Sequence, residues 1–358
     1  MRFCTRPCHE KAAFDVSAMR TPLPFAGGGS PTKGLTVQPS SERREEASAH
    51  PRIGALDAAR GLALIAMATY HFSWDLEFFG YLDPGTSTHG PLKIYARCIA
   101  SSFLFLAGFS LVLAQYPELR LKSFLKRLGI IVAAALAITA ATAIAMPDGL
   151  IFFGILHSIA AASLLGLLFL RAPPLLTIAV AAVIIALPVY YQSEAFDAPW
   201  LLFLGLSQHL PRSNDYVPML PWSGALLLGV ATARIAHSRG WLNALARLPE
   251  GPRWLRWGGR HSLIVYLIHQ PVLIAVVYLM SIMAPSQEPD PIQSYLMSCQ
   301  TACQTEGSEA GLCTRFCSCT LDRLQEQSLL APLQSGAILP DKDERILKLA
   351  RECSAISQ

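Results

Sequence analysis

The stretch GLALIAMATYHFSWDL, residues 61–76, decides the fold. Its first half is apolar enough for the interior of a bilayer, yet it runs without a break into His71, Trp74 and Asp75. A helix that crosses roughly 30 Å of hydrocarbon needs about 20 predominantly apolar residues. With its flanks this run supplies them over approximately 58–80. Six further segments of the same kind follow at approximately 94–115, 126–146, 150–170, 174–192, 217–236 and 262–284. Breaks such as MPDG (146–149) and RAPP (171–174) separate them. Residues 198–211 read as a re-entrant or interfacial piece.

Composition agrees with this. Of 358 residues, 52% are hydrophobic and only 15% charged, with a mean hydropathy of +0.38. A soluble domain of this size is less apolar, so the bilayer is part of the solvent. The fold class expected is all-α, a polytopic membrane bundle of about seven helices. Net charge is only +4, and the basic residues lie between apolar runs rather than on an aromatic-interleaved surface, which excludes a nucleic-acid role.

Those basic residues set an orientation, because Lys and Arg in short loops favour the cytoplasmic side. One side collects Arg52, Arg60, Arg120, Lys122, Lys126, Arg127, Arg171, Arg234, Arg239, Arg247, Arg253, Arg256 and Arg260. The other holds Asp83, Lys93, Asp148, Glu194, Asp197, Arg212 and Asp215. The N-terminus is therefore expected in the cytoplasm and, after seven crossings, the C-terminus outside. Residues 1–51, with GGGSPT (27–32) and SERREE (41–46), have no apolar period and read as a disordered cytoplasmic tail. No apolar stretch follows Met1, so the first spanning helix is expected to act as the insertion signal, and Met19 is an alternative start.

Residues 285–358 are polar and helix-compatible and carry Cys299, Cys303, Cys313, Cys317, Cys319 and Cys353. A CxxxC places two thiols one turn apart on one helix face. An antiparallel hairpin can then pair Cys299 with Cys317 and Cys303 with Cys313, and Cys319 with Cys353 can add a third bond. Such a stapled hairpin persists in an oxidising compartment, in agreement with the outer placement from the charges. A zinc site and free thiols are the alternatives, although CxxxC is not the CxxC spacing of zinc ribbons. Cys4 and Cys8, followed by His9, receive no role.

Ionisable groups at membrane depth usually face a bundle interior or a water-filled cavity. His71 and Asp75 lie i, i+4 on one face of the first helix, where the carboxylate can orient the imidazole as a general base requires. The same pair can also simply join helices. His157 in GILHSI (154–159), His269 in YLIHQP (266–271) and His89 in THGP (88–91) are further histidines that can converge on one cavity, or that hydrogen-bond a neighbouring helix. At the inner edge, Asp57 and Arg60 read as a local ion pair, with Asp57 placed to cap the helix. Alternatively, Arg60 faces a vestibule for an anion. Arg253, Trp254, Arg256, Trp257 and Arg260 add charge and indole faces that suit phosphates and an adenine ring. They equally suit orientation and interfacial anchoring.

The segments RIGALDAARG (52–61), YHFSWDL (70–76), FLFLAGFS (103–110), GILHSI, DYVPMLPW (215–222) and GRHSLIVYLIHQP (259–271) together resemble bacterial membrane proteins related to the catalytic domain of heparan-alpha-glucosaminide N-acetyltransferase, within the wider transmembrane acyltransferase superfamily. The likeness spans roughly residues 52–284, expected as the acyltransferase domain of a bacterial inner-membrane protein. It implies transfer of an acetyl or other acyl group from cytoplasmic acyl-CoA, such as acetyl-CoA, to a glycan or lipid-linked acceptor on the outer side, with no metal. It also implies a catalytic histidine. In the lysosomal relatives that residue lies in the outer loop after the first helix, which points to His89 ahead of the segment reaching Gly108. In broader acyltransferases it lies within the first helix, which points to His71, eleven residues after Arg60; the spacing favours His71. Asp75 is expected to orient His71. Asp57, Arg60, Trp74, His157, Asp215 and His269 are the candidate substrate-binding groups, and Arg253, Arg256 and Arg260 the candidate acyl-CoA contacts. A proton-coupled transporter and a haem-binding electron carrier are readings of the same histidines from other classes.

Overall fold

A computed structural model describes residues 53–357 except 84, 210, 212, 286–289, 306, 336, 341 and 342. The expected tail 1–51 with Cys4, Cys8 and His9, and the orientation residues Arg52 and Arg212, lie outside the described residues. The regular structure of the described residues is all helical, with no strand among them.

Each of the seven expected apolar segments is a helix: α1 (Gly54–Phe78), α2 (Gly90–Gln115), α3 (Leu121–Ala145), α4 (Ile155–Phe169), α5 (Pro174–Tyr190), α6 (Met219–Ser238) and, after the short helices α7 (Trp241–Ala246) and α8 (Arg253–Arg260), α9 (Ser262–Met283). Four of them, α2, α3, α6 and α9, are long and apolar enough to cross a membrane. The 25 residues of α1 give it comparable length, but it carries Asp57, Arg60, Asp75 and Glu77. With 15 and 17 residues, α4 and α5 are apolar but measure only about 22 and 25 Å at 1.5 Å per residue. Residues 150–154, ahead of α4, are non-helical. Irregular backbone of this kind survives at membrane depth where it lines a cavity or is buried in protein. The expected piece at 198–211 contains one 3₁₀ turn, Leu202–Leu204.

Helix α6 is central, packing on α2, α5 and α4, while α1 packs on α8, α9 and α2, and α3 on α4. Small residues allow the closest crossing. A Cβ on Gly108 would sit 2.0 Å from the Leu226 carbonyl, and one on Gly229 would sit 2.1 Å from that of Phe105, so α2 and α6 touch backbone to backbone. Leu104, Leu226 and Val230 are fully buried at this seam. Outward-facing Ile144, Leu168 and Leu175 are more than three-quarters exposed, as lipid-facing side chains should be.

The C-terminal residues form α10 (Pro291–Thr305), α11 (Ala310–Glu326), α12 (Leu330–Gln334) and α13 (Glu344–Ser357). Disulfides join Cys299 to Cys317, Cys303 to Cys313 and Cys319 to Cys353. The first two close the α10–α11 hairpin rung by rung, and the third ties α13 to α11. The six sulfurs are bonded to one another, which leaves no thiolate for the zinc alternative. Leu324, Leu329, Ile346 and Leu349 form a small separate core for this unit.

Candidate functional site

Two cavities follow one another along α3 and α9. The first, called inner for the side that the charge reading assigns to its basic residues, has a volume of about 400 Å³ and is apolar except for Arg60, Ser123, Lys126, Arg127, Ser262 and Tyr266. Arg60 donates to the Asp57 carboxylate at 2.8 Å and also to the Ser110 hydroxyl. Arg260 lies 3.9 Å from the other Asp57 oxygen. The expected capping role of Asp57 is not what the structure gives. Ile53 occupies the N-cap, and Asp57, one turn in, holds the two arginines. Gly259 makes this possible, because a Cβ there would stand 1.7 Å from the Asp57 carbonyl oxygen. Arg256 is taken up by Glu250, and Arg253 is exposed. Neither lines the cavity. Lys126 and Arg127, read from sequence only as orientation signals, do.

The outer cavity, about 420 Å³, is lined by Tyr70, His71, Trp74, Thr142, Asn214, Asp215, His269 and Gln270, with an apolar wall that includes Ala137, Ala141 and Ala145 of α3. The rings of His71 and His269 lie opposite one another with centroids 5.0 Å apart, tilted at 57°. Trp74 stacks on Phe78 at 5.3 Å. Asp215 accepts the Ile155 N–H at 2.9 Å, so it holds the start of α4 while bordering the cavity. The pairing of Asp75 with His71 expected from sequence is rearranged. Asp75, fully buried, accepts from the Gln270 side-chain amide at 2.7 Å rather than orienting His71. The i, i+4 register put the carboxylate on the right face, but α9 supplies a closer donor. His157 lies outside the cavity lining; it accepts the Gly154 N–H at 3.3 Å and meets the Thr139 hydroxyl at 3.3 Å, closing the first turn of α4.

His89 also stands apart from both cavity linings. It sits at the N-cap of α2, and its Nδ1 lies 3.0 Å from the Gly85 carbonyl and 2.9 Å from the Thr88 hydroxyl. Its loop is organised by Glu77, whose carboxylate accepts from Gly85 N–H at 2.6 Å, Ser87 N–H at 2.7 Å and the Ser87 hydroxyl. Sequence reading passed over Glu77 and Gln270. Glu77 stands in no recognisable motif, Gln270 stands in YLIHQP (266–271) beside the more conspicuous His269, and the partners of both are fixed by folding.

Tyr266 borders both cavities. Around it Ala134, Ala135 and Leu156 are buried against Ile131, Leu263 and Leu267. Along α3 the inner cavity ends at Ile131 and the outer one begins at Ala137, a step of about 9 Å at 1.5 Å per residue. The arrangement is a basic inner chamber and a histidine-lined outer chamber divided by one thin apolar layer. One protein family, described as heparan-alpha-glucosaminide N-acetyltransferase, catalytic, matches residues 52–271. No curated protein and no solved structure matches the chain.

Proposed function

From the premise that the chain belongs to the family of heparan-alpha-glucosaminide N-acetyltransferase catalytic domains, we propose that it moves an acetyl group from cytoplasmic acetyl-CoA to an acceptor on the outer side of the bacterial inner membrane. The family makes it an enzyme of the membrane N-acetyltransferase type. The observation that carries the finer reading is the pair of cavities meeting at Tyr266. A phosphorylated donor suits the inner chamber, where Arg60, Lys126 and Arg127 offer charge-assisted donors beside an apolar wall. Arg253, Arg256 and Arg260 flank that mouth and add positive potential to its approach. The thioester end then reaches past Tyr266 to the outer chamber, where a glycan or lipid-linked acceptor enters among His71, Trp74, Asp215 and His269. Chemistry takes place at the facing His71 and His269 rings, with Asp75 and Gln270 bonded together behind them. Asp57 serves by holding Arg60 in place, and His157 and His89 by fixing the ends of α4 and α2.

In this reading residues 52–284 are the acyltransferase domain and 285–358 a periplasmic unit. The basic inner chamber supports a cytoplasmic N-terminus, and the three disulfides support an oxidising outer side. The test is incubation of purified protein in lipid nanodiscs with radiolabelled acetyl-CoA and a panel of glycan and lipid-linked amines and alcohols. Label is expected to move to an acceptor, and His71→Ala to slow that movement while acetyl-CoA still binds. Full transfer by His71→Ala would remove His71 from the chemistry. No transfer by the wild-type protein across the panel, despite tight donor binding, would refute the acetyltransferase reading.

A further inference from the structure

The two facing histidines are not equivalent. The His269 Nδ1 lies 2.5 Å from the Tyr266 carbonyl oxygen, one turn back on its own helix. A carbonyl oxygen can only accept, so the hydrogen of a neutral His269 ring sits on Nδ1 and the lone pair on Nε2. That Nε2 is shielded from solvent and meets no protein hydrogen-bond partner, while the ring forms part of the outer chamber wall. A backbone carbonyl locking one imidazole nitrogen and leaving the other bare is the arrangement a general base needs. His71 has no such anchor on Nδ1 among the hydrogen bonds of the described residues; its partners are the rings of Tyr70 and His269. Its own candidate orienter, Asp75, belongs to Gln270.

We infer that His269 is the proton-accepting catalytic residue of the acetyl transfer, with its tautomer set by the Tyr266 carbonyl, and that His71 positions the acceptor opposite it. This rests on the acetyltransferase reading above. In the step, the acceptor's neutral amine or hydroxyl gives its proton to Nε2 as its nitrogen or oxygen bonds to the thioester carbonyl carbon. The resulting tetrahedral species then breaks its C–S bond, and the departing thiolate of coenzyme A takes that proton from Nε2. The products are the acetylated acceptor and the free thiol, and His269 returns to its neutral tautomer. The same Tyr266 that borders both chambers thus presents its carbonyl to the base and its ring to the path of the thioester.

The experiment compares wild type, His269→Gln and His269→Ala in nanodiscs, measuring single-turnover acetyl transfer across pH, acetyl-CoA affinity and thermal unfolding. Glutamine keeps the hydrogen-bonding size of the side chain without a base. Both variants are expected to bind acetyl-CoA as wild type does, to lose roughly 10²- to 10⁴-fold in the transfer step, and to lose the acidic limb of the rate profile. Added imidazole is expected to restore part of the rate to His269→Ala, a rescue that a purely structural role would not show. Transfer by His269→Gln at the wild-type rate, or failure of imidazole to rescue a folded, donor-binding His269→Ala, overturns the assignment. If wild type itself transfers nothing, the acetyltransferase reading fails and this one falls with it; if wild type transfers and His269→Gln keeps pace, the assignment alone fails.

Discussion

Removing the bond between Cys319 and Cys353 should loosen one helix of the C-terminal unit and leave the membrane bundle untouched. The bond closes 34 residues of chain and pins α13 to α11. On the chain-entropy account, a loop of that length constrains the opened state by about 3.8 kcal/mol, equivalent to a roughly 600-fold change in the opening equilibrium. Packing of Ile346 and Leu349 on Leu324 and Leu329 survives the change, so α13 should remain docked but open more often. The Cys303–Cys313 bond gives a contrast. Its 10-residue loop lies inside the one closed by Cys299 and Cys317, which keeps the hairpin shut when the inner bond is lost. The assay is hydrogen exchange on the full chain in nanodiscs, comparing wild type, the double variant Cys319→Ala with Cys353→Ala, and the double variant Cys303→Ala with Cys313→Ala. Protection of the α13 amides should fall by two to three orders of magnitude in the first variant, stay near wild type in the second, and stay unchanged from α1 to α9 in both. Unchanged α13 protection, or equal losses in α13 and the membrane helices, would refute the reasoning that this bond acts locally and through the opened state.

Two other outcomes follow from the geometry. Arg127→Gln should weaken acetyl-CoA binding about 10- to 100-fold, the worth of one hydrogen bond to a charged group, whereas Arg253→Gln, exposed and outside the inner chamber, should change it little; titration with labelled acetyl-CoA measures both. In the loop after α5, Asp197 accepts from the Ser207 hydroxyl at 2.6 Å, the Gln208 N–H at 2.9 Å and His209 at 2.9 Å. Those hydrogen bonds hold its carboxyl down at about 2, and Asp197 in turn raises His209 above its ordinary value. The depressed carboxyl contributes stability that is present above its ordinary 3.8 and lost as pH falls toward 2. The raised imidazole contributes stability that is full below 6.5 and lost as pH climbs through the raised value. Protease resistance of residues 191–209 should therefore peak between those limits, and Asp197→Asn should flatten the profile.

The helices were legible because their cause is local. The run from Gly61 to Thr69 can do little in water except seek an apolar partner, and a CxxxC on a helix has one face to offer. The chambers were less legible because their causes are distant. Asp75 is settled by Gln270, 195 positions away in the chain, and only the packing of α1 on α9 brings that amide closer than His71. Lys126 and Arg127 announce a membrane side in any sequence; that they also border a cavity depends on how α3 packs on α4. His157 shows the reverse, a residue whose type suggested chemistry and whose place at the start of α4 gives it backbone to satisfy. Helix lengths were partly legible, since the proline-bearing breaks were plain, but the non-helical 150–154 that shortens α4 carries no such mark.

The layer around Tyr266 bears on a difficulty that any enzyme working across a bilayer shares with a channel. An open bore from a basic inner mouth to a polar outer chamber would leak protons and salt, and the cell would lose its gradient each time the site stood empty. Ala134, Ala135, Leu156 and Tyr266 interpose about 9 Å of packed side chains between the chambers; under the proposed reading this layer must yield to the slender end of a donor and yet keep a file of water from forming. Permeability, as much as reactivity, then constrains what can stand at position 266.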